Sequence, residues 1–413
     1  MTKGFRKFLL LWAGKLVSSI GGGLTSFGLT VYAFRETGSA ASTAFIALLA
    51  FLPNLLLGIP AGVLADRFDR RLLMMLGDGL SALGIIYILI CMYNGGAELW
   101  QLCLGVTISS VFSSLMEPSY KATASDLLSK EEYVKASGLV SIAGSARYLI
   151  SPLIAGLLLA VFDIKLLLAI DICTFFLTVA TTAVVRNGLE RNQTKSVTSF
   201  ADDLKCGWNT VAGNRGILTL VVMAAVMTFC MGVMQILSEP MVLDFESSRT
   251  LGIVETICAA GMLVTSVILG AKGMKKGIVK ALSLSLCIAG VCMSGFGAKE
   301  NLLTIGAFGF VFFAMIPVAN SGLDYLVRTN IENELQGRAW GVIGFISQLG
   351  YVVSYGLSGV FADVIARLSG LSVGRSCGAL IMVSGILLVV AALALYFAKC
   401  VRNLEKNVDS NVT

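Results

Sequence analysis

Twelve runs of mainly apolar residues, separated by short polar turns, dictate most of what this chain can become. They fall at residues 8–34, 40–61, 72–94, 99–117, 139–162 and 164–185, then at 216–240, 250–271, 278–298, 301–323, 339–362 and 376–398. Each is about 20 residues long, enough to cross a hydrocarbon core. Lipid offers the backbone no hydrogen-bond partner, so only helices and closed barrels span it. A barrel strand alternates apolar and polar side chains over about 10 residues; these runs are longer and do not alternate. The pattern predicts an all-α membrane protein. Only 14% of the 413 residues are charged, against about a quarter in soluble domains. Met1–Lys7 is short and basic, but the run after it is too long for a cleavable signal and is read as a retained first helix.

The runs divide into two sets of six. Residues 1–185 are expected to form an N-terminal bundle and 216–398 a C-terminal one, with a cytoplasmic linker at 186–215 and a cytoplasmic tail at 399–413. The linker carries the polar run Asn192–Ser199, and Phe200–Asn209 has the pattern of a short amphipathic helix on the inner surface. Orientation follows from the basic residues. With both termini inside, 23 of the 31 Lys and Arg fall in inner segments and 6 in outer loops; Lys15 and Arg147 remain within spans. That bias places both termini in the cytoplasm of a cell bounded by this membrane. The net charge of +6 belongs to these loops and implies no nucleic acid. Ten cysteines are scattered without a Cys-x-x-Cys pair and histidine is absent, so neither a disulfide framework, a metal site nor a cofactor is expected.

The most informative polar stretch is Gly58–Asp78. Asp66 and Asp69 interleave there with Arg67, Arg70 and Arg71, between two apolar runs. Such a cluster does not lie in hydrocarbon; it is a tight charged turn at the inner surface. Gly62-x-Leu64-Ala65-Asp66-Arg67-x-x-Arg70-Arg71 resembles the loop 2–3 signature of the major facilitator superfamily, with Asp69 where that signature has glycine. This variant, with the segments Ile20–Leu29 and Glu36–Ala40, is similar to the macrolide-efflux-like and enterobactin-exporter-like branch. The resemblance implies twelve helices in two pseudo-symmetric six-helix bundles. It also implies a conformational latch built from Gly62, Asp66, Arg67, Arg70 and Arg71. In that latch Asp66 would meet unpaired backbone N–H groups at the start of span 11, around Gly337–Gly341, and an arginine would reach a carboxylate at the inner end of span 4, here Glu117. Span 5 carries Arg147-x-x-x-Ser151-Pro152-x-x-Ala155-Gly156, which resembles the superfamily's antiporter signature with three glycines replaced.

Ionisable residues inside spans are costly and mark function. Asp78, Glu117 and Asp324 lie near inner ends, where loop arginines are their expected partners. Lys15 and Arg147 sit about two turns deep, by 1.5 Å per residue, and are candidates for substrate binding. Asp171 belongs to a span that is peripheral in the superfamily and reads as structural. Glu255 belongs to span 8, beside the interface of the halves, and is the candidate for binding a proton or cation. With no histidine, any proton relay must use carboxylates.

These features point to a secondary-active transporter rather than an enzyme. No Gly-x-x-x-x-Gly-Lys-Ser/Thr run is present to bind ATP. The leading expectation is an exporter of small amphipathic, drug- or macrolide-like molecules, working as a monomer by alternating access on an ion gradient, with the proton as first choice of coupling ion. A siderophore or lysolipid exporter or flippase is the alternative within transport; a transport-inactive membrane sensor is the alternative outside it. The charge bias makes a direct prediction. An impermeant thiol reagent should reach a cysteine placed at Ser39 from outside the cell and one at Ser129 only from inside; the reverse pattern would overturn the topology.

Overall fold

The polar turns that separate the apolar runs are also where the helices are capped and broken. The structure, a computed structural model, describes residues 2–186, 200–273 and 277–412. The run Asn192–Ser199 lies outside the described residues, as do Lys275 and Lys276. The described residues form sixteen helices and no strand: α1 (Lys3–Thr37), α2 (Ala40–Arg67), α3 (Arg70–Tyr93), α4 (Leu99–Ser113), α5 (Met116–Leu127), α6 (Lys130–Leu149), α7 (Ser151–Leu159), α8 (Ile164–Arg186), α9 (Phe200–Ala212), α10 (Arg215–Leu243), α11 (Ser248–Lys272), α12 (Ile278–Ala298), α13 (Leu302–Asn330), α14 (Asn333–Ser369), α15 (Val373–Phe397) and α16 (Lys399–Val412). Twelve segments are long and apolar enough to cross a membrane, with α4 and α5 together supplying one, Leu99–Leu127, and the α6–α7 pair another, Gly138–Leu159.

Local chemistry sets these boundaries. Pro118 and Pro152 each remove a backbone donor, and the helix is interrupted just before each, at Ser114–Leu115 and at Ile150. Asp69 caps α3 by accepting from the Arg71 N–H at 3.1 Å, and Asn214 and Asn301 cap α10 and α13 in the same way. Ser129 and Glu132 form a capping box on α6. Glu132 also accepts from the Thr2 hydroxyl at 2.7 Å, and that bond holds its carboxyl below the usual range. The contribution is present at neutral pH and is lost as the pH falls through the lowered value.

The helices sort into two compact units. The first comprises Met1–Gly38, Ser42–Ser196 and Ser247–Ile253; the second comprises Ser39–Ala41, Val197–Glu246 and Val254–Thr413. In the first unit α1 packs on α8 and α6, and α3 packs on α4, α5 and α8. One apolar core gathers Ile88, Leu102 and Leu168; another, at the end that carries Asp66, gathers Phe8, Met74 and Tyr120. In the second unit α12 packs on α13 and α15, and α10 on α14 and α15. Large apolar side chains such as Leu56, Val267 and Val390 stay exposed on the spans, as faces turned to lipid must be.

Two segments differ from the sequence reading, and a third, from Phe200, is the helix expected. The span expected to end at 117 continues as α5 to Leu127, because its polar last turns still satisfy their own backbone. Residues 399–413, expected only as a tail, supply helix α16, with Val401 and Leu404 buried. Glu405 of α16 accepts from the N–H groups of Ile278 at 2.5 Å and Val279 at 3.4 Å, capping α12, whose own N-cap residue is the side-chain-less Gly277. The amphipathic segment from Phe200 is helix α9, and it lies against α14, where a methyl at Gly207 would overlap the Arg338 carbonyl.

Close backbone approach holds α3 and α4 together. A methyl group at Gly84 would overlap the carbonyl oxygen of Gly105, and one at Gly105 would overlap Ile88. Small residues are what let helices meet in lipid. Gly84→Val is therefore expected to cost about 1–3 kcal/mol by overpacking, read as a lower unfolding midpoint in detergent; Gly58→Val, with nothing within 4 Å of its added carbon, should leave it nearly unchanged.

Candidate functional site

The charged turn between α2 and α3 is assembled from chain ends. Phe68 and Asp69 break the helix, and Asp69 faces both ways: it caps α3 and accepts from Arg186 Nε of α8 at 2.8 Å. Arg70 points back across the turn. Its Nε donates to the Ala65 carbonyl in the last turn of α2, and its Nη1 to the Ala122 carbonyl of α5. The Ala65 carbonyl is at a helix end, where a cation is favoured. The same Nη1 lies 2.6 Å from Asp126 Oδ1, and Arg71 Nη2 lies 3.5 Å from Asp126 Oδ2. Asp126 thus holds both arginines, one of them, Arg71, only 6% exposed. Asp66 is an exposed acid with Arg70 at 3.7 Å, and Arg67 is exposed. A methyl at Gly62 would meet nothing within 4 Å.

Glu117 does not have the place expected of it. Its carboxylate pairs with Lys121 at 3.2 Å and with Lys15 of α1 at 3.8 Å, not with an arginine. The reason is the length of the helix. α5 continues past Glu117 to Leu127, and Asp126, nine residues and about 13 Å further on at 1.5 Å each, is the carboxylate at the level of the turn. A parallel difference concerns Gly337–Gly341. α14 begins at Asn333, so the unpaired N–H groups of its first turn belong to residues before Gly337.

The other candidates of the first unit surround α1. Ser151 is fully buried and donates to the Ile20 carbonyl at 3.1 Å. Gly23 packs against Ser151, and Gly21 against Thr174 and Asp171 of α8. Gly21 and Gly23 thus serve close packing, in a helix that runs unbroken from Lys3 to Thr37. Ala155 and Pro152 are buried, and Gly156 touches the backbone of Ser248 and Gly252 in the first turns of α11. Arg147 is exposed in the last turn of α6. Asp171, 1% exposed, accepts from the Thr174 hydroxyl at 3.3 Å.

In the second unit Glu255 has a neighbour that sequence reasoning missed. Glu239 of α10 acts on it electrostatically. One turn before Glu239, Gln235 accepts from the Tyr355 hydroxyl of α14 at 2.7 Å. Glu239 precedes Pro240 at the edge of its apolar run, and a proline there reads as an end; α10 instead continues to Leu243 with Pro240 inside it. No group of His, Cys, Asp and Glu able to hold a metal occurs among the described residues.

A two-unit, twelve-span architecture with a charged α2–α3 turn has a known counterpart. Residues 11–355 match the family model described as Major Facilitator Superfamily. The chain belongs to that superfamily. It is 25% identical over 365 residues to macrolide efflux protein A of Streptococcus pyogenes, covering 87% of this chain and 90% of the relative. It is 27% identical over 398 residues to the uncharacterized MFS-type transporter YfiS of Bacillus subtilis (strain 168), covering 92% of each. A crystal structure of a bacterial homologue of the human lysosomal transporter Spinster shares the fold, with a TM-score of 0.74 at 14% identity over 98% of this chain and 99% of that one. As a superfamily member the chain is an integral membrane transporter and not an enzyme.

Within this superfamily member, the turn makes an unequal pair of predictions. Asp126→Asn removes the charged partner of two mostly buried arginines and is expected to cost about 1–3 kcal/mol. Glu117→Gln breaks only half-exposed contacts and should cost less than about 1 kcal/mol. Unfolding midpoints in detergent decide; equal losses would show that Asp126 is not the anchor of the turn.

Proposed function

We propose that the chain is a secondary-active exporter of small amphipathic molecules of the macrolide kind, driven by a proton gradient through alternating access. The observation that carries this reading is the similarity to macrolide efflux protein A along nearly nine-tenths of both chains. Charge supports it. Ionisable groups lie within spans of both units, Lys15, Asp78 and Asp171 in the first and Glu239 and Glu255 in the second, and buried carboxyls are the groups that exchange protons where histidine is missing. In this reading the Asp66 end faces the cytoplasm of the cell membrane, the protein works as a monomer, and Asp66, Arg67, Arg70 and Arg71 with Gly62 favour one of the two access states. Arg147, exposed and cationic, and Lys15 tune which substrates are accepted.

The test uses inside-out membrane vesicles and a radiolabelled macrolide. Vesicles carrying the protein should accumulate label when their interior is acidic and lose it on addition of a protonophore. Glu255→Gln should reduce gradient-driven uptake about tenfold, the effect of 1.4 kcal/mol, while sparing exchange of label against unlabelled macrolide. Uptake equal to that of empty vesicles across a macrolide panel would overturn the reading.

A further inference from the structure

The arginines of the α2–α3 turn are the partners expected for Asp78, and the structure gives them elsewhere. Arg70 and Arg71 are held by Asp126, and Arg186 by Asp69. Asp78 lies two turns into α3, 3% exposed, and its Oδ2 accepts no hydrogen bond. Its neighbours fix where it sits: a methyl at Gly77 would stand 3.6 Å from the Met116 nitrogen of α5, and one at Gly79 3.9 Å from Val179 of α8. The same two helices carry further buried hydroxyls without hydrogen bonds, those of Ser119 and Tyr120 on α5 and Thr182 on α8. An ionised carboxylate without a partner is among the costliest groups to bury, whereas the neutral acid costs far less.

We propose that Asp78 is a proton-binding site of this transporter, with Lys15 as a cation that exchanges between Glu117 and Asp78. In the structure the Lys15 ammonium is 3.8 Å from Glu117, whose side chain is 54% exposed, and Glu117 follows Met116, which packs beside Gly77, the residue before Asp78. Lys15 of α1 and Asp171 of α8 act on Asp78; α5 carries Glu117, Tyr120, Lys121 and Asp126, and α4 carries only Cys103, near its far end. The exchange balances. Asp78 begins neutral while Lys15 pairs with Glu117. The proton on Asp78 passes to Glu117, which becomes neutral and releases Lys15. The ammonium turns to the new Asp78 carboxylate, and Glu117 gives the proton to solvent. One proton leaves, and the trio gains one negative charge that Lys15 shares. The site would add a second titrating position to Glu255 in the proton-coupled reading above, on which its purpose rests.

The experiment reads the proton itself, so it can fail while macrolide uptake succeeds, and the reverse. Purified full-length protein in lipid nanodiscs is titrated by infrared difference spectroscopy. Wild type should show a carboxylic-acid C=O band that disappears as the pH rises, and Asp78→Asn should lack it. In Lys15→Met the band should persist to higher pH, because the carboxylate loses its cation. Labelling aspartate carboxyls with 13C in the wild type shifts the band and assigns it to aspartate without a variant at Asp78. A wild-type-minus-Asp78→Asn difference that is flat at every pH, or no band moved by the aspartate label, would overturn the site. A band unaltered in Lys15→Met would overturn the exchange.

Discussion

Hydrocarbon supplies no hydrogen bonds and almost no screening, so every charge carried into a span must find its partner inside the protein. In the first unit Arg70 and Arg71 meet that requirement on one carboxylate. Asp126 receives Arg70 and Arg71, and the remaining donors of Arg70 close on the carbonyls of Ala65 and Ala122. The pair joins the end of α2, the start of α3 and the last turn of α5. Because Asp126 takes both arginines and Asp69 takes Arg186, the deeper acid Asp78 is left without a loop partner. The arginines that anchor the turn are thus not available to the acid two turns below it.

The second unit meets the corresponding demand with different residues. Its turn between α11 and α12 carries lysines and glycines in place of the aspartate–arginine cluster, and Gly277 offers no capping side chain. The start of α12 is capped instead by Glu405, from a helix at the far end of the sequence. Asp69 and Glu405 do the same electrostatic work, placing an anion against unpaired N–H groups. One is local and the other arrives from 127 residues away.

That contrast also explains what was legible in the sequence. Hydrophobic runs are local, and all twelve spans were read from them. The signature around Asp66 is local too, and it pointed to the superfamily. Partner choice is not local. A hydropathy window stops at the first polar residues, so it ended a span at Glu117 and hid the further ten residues of α5 that bring Asp126 to the turn. Glu239 lies inside the run 216–240, but its effect on Glu255 comes from another helix and is not local; the window edge also reduced α16 to a tail. Asp78 was visible as an intramembrane acid, but its lack of an arginine became visible only once the arginines were seen to be occupied.

In the transport cycle we propose, outward movement of an amphipathic molecule is exchanged for inward movement of protons. The most direct measurement follows the proton gradient of inside-out vesicles with a pH-sensitive dye trapped inside them. With the interior acidified by respiration, adding an unlabelled macrolide should raise the internal pH in vesicles carrying the protein and not in vesicles without it. A macrolide that crosses the membrane through the protein while the internal pH stays constant would contradict the account.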